Sequence, residues 1–258
     1  MGKRTSVTLS TWGAIFSLAS TTFYYLFGLF APVWGYFVLS TILIGHSVLL
    51  YALASHYQKT NRGEWMRGAL IGLNAGMNAM LLFALTDSRL LATMAVLLLM
   101  PSAWLWVSRK PAYQSLLGWT NWFLPMSCLV NLPGLFIFLV NVMFAPLGYL
   151  HPLFQALRIR LYIDLSSCTF TLYGGLIRPF KGFSGLNMGN FIFINPGWEH
   201  LLRHEIGHLF SLASMGSLFH FIGGIDEAWF QKNYWEAFAE YLAESYNQPS
   251  PSVLSMWG

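Results

Sequence analysis

The sequence predicts a mainly α-helical membrane protein, in which a bundle of four to six transmembrane helices is followed by a small α+β domain. Hydrophobic residues make up 55% of the 258 residues and charged residues only 9%, against about 25% charged residues in soluble domains. The charges are also unevenly distributed, since residues 151–258 hold eight of the ten acidic side chains. This composition excludes a disordered chain and a water-soluble globule.

Four stretches without any charged residue set the predicted spans. They are residues 5–58, 68–86, 90–108 and 111–157. Because about 20 apolar residues cross a hydrocarbon core of about 30 Å, the first stretch fits two helices, broken near Ala31-Pro32, and the next two fit one each. The fourth fits a fifth span or a re-entrant or interfacial hairpin bent at Pro133.

The chain therefore divides into three regions. They are a transmembrane bundle at 1–120, a fifth span or hairpin at 121–150, and a water-facing domain at 151–258. Lysine and arginine residues flank the N-terminus and the exits of the second and fourth spans, which places these ends in the cytoplasm. Arg158 and Arg160 favour the hairpin, and with it a cytoplasmic last domain.

The third predicted span carries a glycine at every fourth position, Gly68, Gly72 and Gly76. Such a stripe lets a second helix approach closely. Asn74 and Asn78 lie one turn apart in the same span, and we expect them to hydrogen-bond a neighbouring helix. The alternative is a polar lining for a transport path.

The most informative stretch is His204-Glu205-Ile-Gly-His208. Asn195 and Pro196 are typical of a helix start and predict a helix from about Pro196 to Ala213. Histidines four residues apart project from one face of a helix and can both bind one Zn²⁺. Glu205 is rotated about 100° from His204, which suits a base acting on a metal-bound water rather than a ligand.

A second predicted helix, from Tyr234 to Glu244, offers the remaining ligand. A catalytic zinc has three protein ligands and one open position. We expect Glu236 to be the third ligand and Glu240, one turn later, to accept the Nδ1–H of a ligating histidine. The reverse assignment, with Glu240 as the ligand, stays open.

These two helices together resemble the gluzincin zinc peptidases, which have a ligating glutamate and an acidic or amide residue one turn later. The glycine-containing segment Gly182–Ile194 and the segment Ser214–Leu218 are similar to parts of a loosely described group of bacterial HExxH proteins. The resemblance implies a zincin-like domain, one zinc ion per chain and metalloendopeptidase activity. Together with the predicted spans, the likeness to bacterial proteins predicts a multi-pass integral protein of the bacterial inner membrane.

The predicted domain also contains a small sheet of two to four strands, since residues 158–173 alternate and residues 191–194 are β-prone. In gluzincin-like sites the strand ahead of the zinc helix pairs with an extended substrate. We therefore expect Phe191, Ile192, Phe193 and Ile194 to contact substrate. Tyr234, His220 and Tyr241 are the candidate donors to the oxyanion.

The predicted function is hydrolysis of peptide bonds near the membrane surface, with a peptide or a protein, including a membrane protein, as substrate. Site-2-type cleavage inside the bilayer is disfavoured because the zinc helix carries several charged residues and histidines. The alternatives are a non-catalytic zinc-binding membrane scaffold and a small transport component. Nucleic acid is not expected as a partner, because residues 151–258 hold six basic against eight acidic residues. The sequence does not indicate an oligomeric state.

Overall fold

A computed structural model describes residues 3–29, 33–177, 184–229 and 233–246; the predicted break at Ala31-Pro32 and the first two residues of the Gly182–Ile194 segment lie outside them. The α-helices are α1 (Lys3–Leu29), α2 (Val33–His56), α3 (Asn61–Thr86), α4 (Arg89–Leu99), α5 (Leu105–Ser108), α6 (Pro111–Thr120), α7 (Pro125–Leu150), α8 (Leu202–Trp229) and α9 (Tyr234–Ala243). The strands are β1 (Ile159–Asp164), β2 (Thr169–Gly174), β3 (Gly185–Met188) and β4 (Phe191–Ile194). A helical protein with a small mixed sheet is thus confirmed.

Among the described residues, four helices are long and apolar enough to cross a membrane: α2, α3, α7 and α8. Two predicted spans are not among these four: α1, and α4, which belongs to a shorter apolar helical stretch, Arg89–Ala103. The helix that carries the histidine motif does qualify, with a mean hydropathy of 1.2 over its most apolar window. By length and composition this helix could therefore cross a membrane, since its charged residues lie near its ends, and the expectation that it does not stays a prediction.

The chain forms two compact units that do not follow the predicted boundaries. The first comprises Met1–Lys110, Leu124–Met126 and Ser211–Phe238, and the second comprises Pro111–Phe123, Ser127–Phe210 and Ala239–Gly258. The second half of α8 and the start of α9 thus belong with the N-terminal helices. The water-facing domain at 151–258 stays a prediction.

Helices α1 and α3 pack through the predicted glycine stripe. A Cβ atom on Gly68 would lie 1.9 Å from the carbonyl oxygen of Ser10, and one on Gly72 would lie 2.0 Å from that of Ala14. From the other side, a Cβ on Gly13 would lie 2.0 Å from the carbonyl oxygen of Trp65. The two backbones approach this closely because Gly13, Gly68 and Gly72 have no side chain.

The two asparagines of α3 stabilise a break in α8. Gly216 has φ 86° and ψ 173°, which interrupts the helix and frees backbone carbonyls. Asn74 Nδ2 donates to the carbonyl oxygens of Ala213 (3.1 Å) and Ser214 (3.0 Å). Asn78 in turn donates to Asn74 Oδ1 at 2.9 Å. The expected contact with another helix is confirmed, and it satisfies carbonyls that would otherwise be costly to bury.

The four strands form one sheet in the order β1-β2-β4-β3. Strand β1 is antiparallel to β2, β2 is parallel to β4, and β3 is antiparallel to β4. The hairpin between β1 and β2 is closed by Asp164, whose Oδ1 accepts hydrogen bonds from the backbone N–H and the hydroxyl of Ser166.

Helices α7 and α8 lie against opposite faces of this sheet. On one face, Leu172, Phe191 and Phe193 form a buried core with Ala145 of α7. On the other face, the Asn187 side chain donates to the backbone carbonyl oxygen of Glu205 in α8 at 2.9 Å. The site-bearing helix is thus fixed on a sheet whose far side is covered by an apolar helix.

Candidate metal centre

The helix that carries the histidines starts later than the sequence predicts. Gly197 has φ 92°, outside the helical region, and the segment from Asn195 forms a turn in which Trp198 N–H donates to the Asn195 carbonyl. A short 3₁₀ turn, Glu199–Leu201, then leads into α8 at Leu202. The predicted start at Pro196 is therefore wrong, and so is the end at Ala213, because α8 continues past the Gly216 break.

His204 and His208 converge through their Nε2 atoms, which lie 3.0 Å apart. Two imidazoles bound to one tetrahedral zinc at about 2.0–2.1 Å per bond would have their nitrogens about 3.3 Å apart. The two rings therefore need only a small adjustment to bind one ion. His208 is buried and His204 half-buried, so the pair lies at the protein surface on one side only.

Glu236 on α9 completes a group of three ligand atoms. One nitrogen from each histidine and a carboxylate oxygen of Glu236 all lie within 4.8 Å of one another. Asn233 fixes the start of α9, because its Oδ1 accepts a hydrogen bond from the backbone N–H of Glu236 at 2.9 Å. A His/His/Glu group of this size could hold a divalent metal with a position left open.

Glu240 lies one turn beyond Glu236 and contacts the first histidine. Its Oε2 atom is 3.1 Å from His204 Nδ1. A carboxylate only accepts hydrogen bonds, so Nδ1 carries the proton and Nε2 presents its lone pair toward His208 and Glu236. This is the predicted arrangement, and it fixes the tautomer that a metal requires.

The carboxylate of Glu205 lies against strand β3. The residue is 6% exposed. A Cβ atom on Gly185 of β3 would lie 2.4 Å from its Oε1 atom, so the carboxylate occupies the space that the missing side chain leaves. Asn187, two residues along the same strand, holds the Glu205 backbone. Strand β3 therefore determines where this carboxylate lies.

Several residues that the sequence analysis missed hold α8 and α9 together near the ligands. A Cβ on Gly207 would lie 2.2 Å from the carbonyl oxygen of Ala239, so the glycine inside the motif allows the close approach of the two backbones. Arg203 Nε donates to the carbonyl oxygen of Ala243 at 2.6 Å, and its guanidinium also bonds the carbonyl of Glu244. These bonds satisfy carbonyls at the C-terminal end of α9.

The three predicted oxyanion donors differ in their surroundings. Tyr234 is 6% exposed and packs against the rings of Tyr51 and Phe219, and its burial raises the pKa of its hydroxyl well above the usual value. The ring of His220 lies 4.4 Å from that of Trp235. Both therefore have clear packing roles. Tyr241 is half-buried on α9, one residue after Glu240.

The predicted substrate strand is in the wrong place in the sheet. Phe191, Ile192, Phe193 and Ile194 form β4, which is hydrogen-bonded to β2 on one side and to β3 on the other and is fully buried. An added strand has no edge to pair with there. In the described part of the chain, the strand that ends the sheet beside Glu205 is β3.

Comparison with protein-family models, with curated proteins and with solved structures finds no match to this chain. Its function must therefore be inferred from its own residues.

Proposed function

We propose that this protein is a zinc-dependent peptidase held in the membrane. The observation that carries the proposal is the convergence of the Nε2 atoms of His204 and His208 with the carboxylate of Glu236, next to a buried glutamate that is not part of the ligand group. Bound zinc would lower the pKa of a water toward 7 and polarise a carbonyl group.

The residues of the chain have separate roles in this reaction. His204, His208 and Glu236 hold the ion, and Glu240 keeps His204 in the tautomer that can bind it. Glu205 takes a proton from the attacking water and passes it to the leaving amine. The C–N bond is broken, the hydroxyl group goes to the acyl carbon, and both water protons are accounted for in the two products.

Glu205 is suited to act as a base because contacts with strand β3 hold it in position. Gly185 and Asn187 fix both its carboxylate and its backbone, so it is oriented before any substrate binds. A purely structural metal site would use four protein ligands and would need no such oriented carboxylate. This favours catalysis over a non-catalytic zinc scaffold.

The test is cleavage of a mixed peptide library by the purified, zinc-loaded protein. We expect Glu205→Gln to retain zinc and to cleave about 10²- to 10⁴-fold more slowly, because a general base contributes about that factor. Glu227→Gln, an exposed glutamate on the same helix, serves as the control and should cleave as the wild type does. Cleavage by Glu205→Gln at the wild-type rate, or no cleavage by the zinc-loaded wild type, would contradict the proposal.

A further inference from the structure

Strand β3 has an outward-facing backbone edge beside the proposed base. The N–H of Asn195 donates to the carbonyl of Ser184 at 3.0 Å, which makes these two residues a hydrogen-bonded pair of the antiparallel ladder. Because such pairs alternate, Leu186 and Met188 direct their backbone groups toward β4, and Gly185 and Asn187 direct theirs away from the sheet. The outward groups of Gly185 are therefore next to Glu205.

The side chains of β3 alternate between two apolar helices. Gly185 and Asn187 face α8, and Leu186 and Met188 pack with the buried core that α7 covers. A Cβ on Gly134, within α7, would lie 2.6 Å from the carbonyl oxygen of Met188. Strand β3 thus lies against the body of α7 rather than beyond its end.

The opposite face of α7 is exposed and apolar along the helix. The exposed side chains recur at helical spacing: Leu129 (53%), Leu132 (62%), Phe136 (68%), Leu139 (54%) and Met143 (64%). Exposed apolar surface on a helix of membrane-spanning length is suited to lipid contact. The edge of β3 therefore lies behind a helix whose outer face suits the hydrocarbon region.

An outward-facing strand edge is energetically costly in the hydrocarbon region of a membrane. Backbone N–H and C=O groups without partners cost several kcal/mol each in an apolar environment, and irregular backbone is tolerated there only where protein or water covers it. Among the described strands none pairs with the outer edge of β3, and an added strand would satisfy these groups. A transmembrane helix that unwinds near the site would itself need partners for its freed backbone groups, so both sides gain from pairing.

We propose that the substrate of this site is an apolar, membrane-inserted segment of another protein, which unwinds and pairs with β3 so that a peptide bond comes to lie beside Glu205. This proposal rests on the proposed peptidase function and adds the class of substrate. It departs from the sequence-based expectation of cleavage outside the membrane, because both α7 and α8 are long and apolar enough to be membrane helices.

The test compares two substrates in the same vesicles of phosphatidylethanolamine and phosphatidylglycerol, which contain the zinc-loaded protein. One is a single-span protein with water-exposed tails, and the other is casein, which is soluble and unstructured. We expect the single-span protein to be cut within its apolar segment, as located by mass spectrometry, with a kcat/KM at least about tenfold above that for casein, since tenfold corresponds to only about 1.4 kcal/mol of transition-state binding.

The two proposals fail in different ways. If casein is cut as fast, and the single-span protein only in its tails, then the peptidase function stands and the substrate class is wrong. If neither substrate is cut, both proposals fail.

A pair of variants tests the strand pairing itself. Asn187→Ala and Asn187→Pro both lose the amide bond to Glu205, but only the proline also removes the outward N–H, and proline is tolerated in an edge strand. We expect Asn187→Pro to reduce kcat/KM for the single-span protein about tenfold below Asn187→Ala, with zinc retained in both. Equal rates for the two variants would show that the substrate does not pair with this edge.

Discussion

Glu205 is held by contacts that come from a different part of the sequence. Its carboxylate fills the space above Gly185 and its backbone carbonyl accepts a hydrogen bond from Asn187. The HExxH spacing predicts which residue is the base, because it depends only on helix geometry. It does not reveal Gly185, because that contact joins residues twenty positions apart through the sheet.

The substitution Gly185→Ala should show whether the position of the Glu205 carboxylate affects cleavage independently of metal binding. In Gly185→Ala the new Cβ would lie 2.4 Å from Glu205 Oε1, so the carboxylate must move. A displacement of about 1 Å in a catalytic group costs about 10²-fold in rate. We therefore expect about that loss in peptide cleavage with unchanged zinc content. Gly224→Ala, which meets nothing within 4 Å, is the matched control and should keep its activity.

Substitutions of Glu236 and Glu240 should weaken zinc binding to different degrees. In the proposed site Glu236 is a ligand, and Glu240 acts through His204 Nδ1. Loss of such an outer partner weakens metal binding about 10- to 100-fold, so we expect that decrease for Glu240→Gln in competition with a coloured chelator. Glu236→Gln should bind far more weakly still. Equal losses in the two variants, or a larger one for Glu240→Gln, would favour the reverse assignment.

At the scale of elements, the ligand group depends on how α9 is attached to α8. Arg203 donates to the carbonyl of Ala243, the last residue of α9, and to that of Glu244, and Tyr246 donates to Asp164 at the end of β1. The close approach at Gly207 then determines the distance between the helices. None of these contacts is visible in the local sequence pattern, since Arg203 and Tyr246 are typical of any polar surface.

Removal of the Arg203 guanidinium should loosen α9 and with it the metal group. Hydrogen bonds of a charged donor contribute about 1.5–3 kcal/mol, so we expect Arg203→Met to lower the free energy of unfolding by about that amount and to weaken zinc binding. Arg160→Met removes an exposed ion pair with Glu199 and the contact of the guanidinium with the Tyr173 ring, each worth at most about 1 kcal/mol, and should cost less than Arg203→Met. Equal stability of the two variants in denaturant titrations would show that the Arg203 bonds do not matter.

Helix α8 shows where sequence patterns predict an element but not its extent. The histidine spacing predicts a helix and the Met215-Gly216 pair suggests a break. The chain continues as a helix beyond this point because Asn74 satisfies the carbonyls that the break frees. Asn74 lies in α3, more than a hundred residues away along the chain. A prediction from the local sequence therefore ends the helix too early.

For the whole molecule, composition and charge placement predict the helical character correctly, and the alternation at 158–173 with the β-prone run at 191–194 predicts the small sheet. The glycine stripe of α3 and the asparagine contacts are also predicted, because both depend on rules for close helix packing. The order of the strands is not predictable in the same way. Strand β4 was expected at the edge because it directly precedes the zinc helix, but β3 pairs back on it and takes the edge position.

The central claim is that His204, His208 and Glu236 bind one zinc ion, and the most direct measurement is the zinc content and X-ray absorption spectrum of the purified protein. We expect one zinc per chain, with two imidazole nitrogens at about 2.0–2.1 Å and a carboxylate oxygen. The ion should be lost in Glu236→Gln and retained in Glu227→Gln. Absence of stoichiometric zinc from the wild type, or its full retention in Glu236→Gln, would contradict the account.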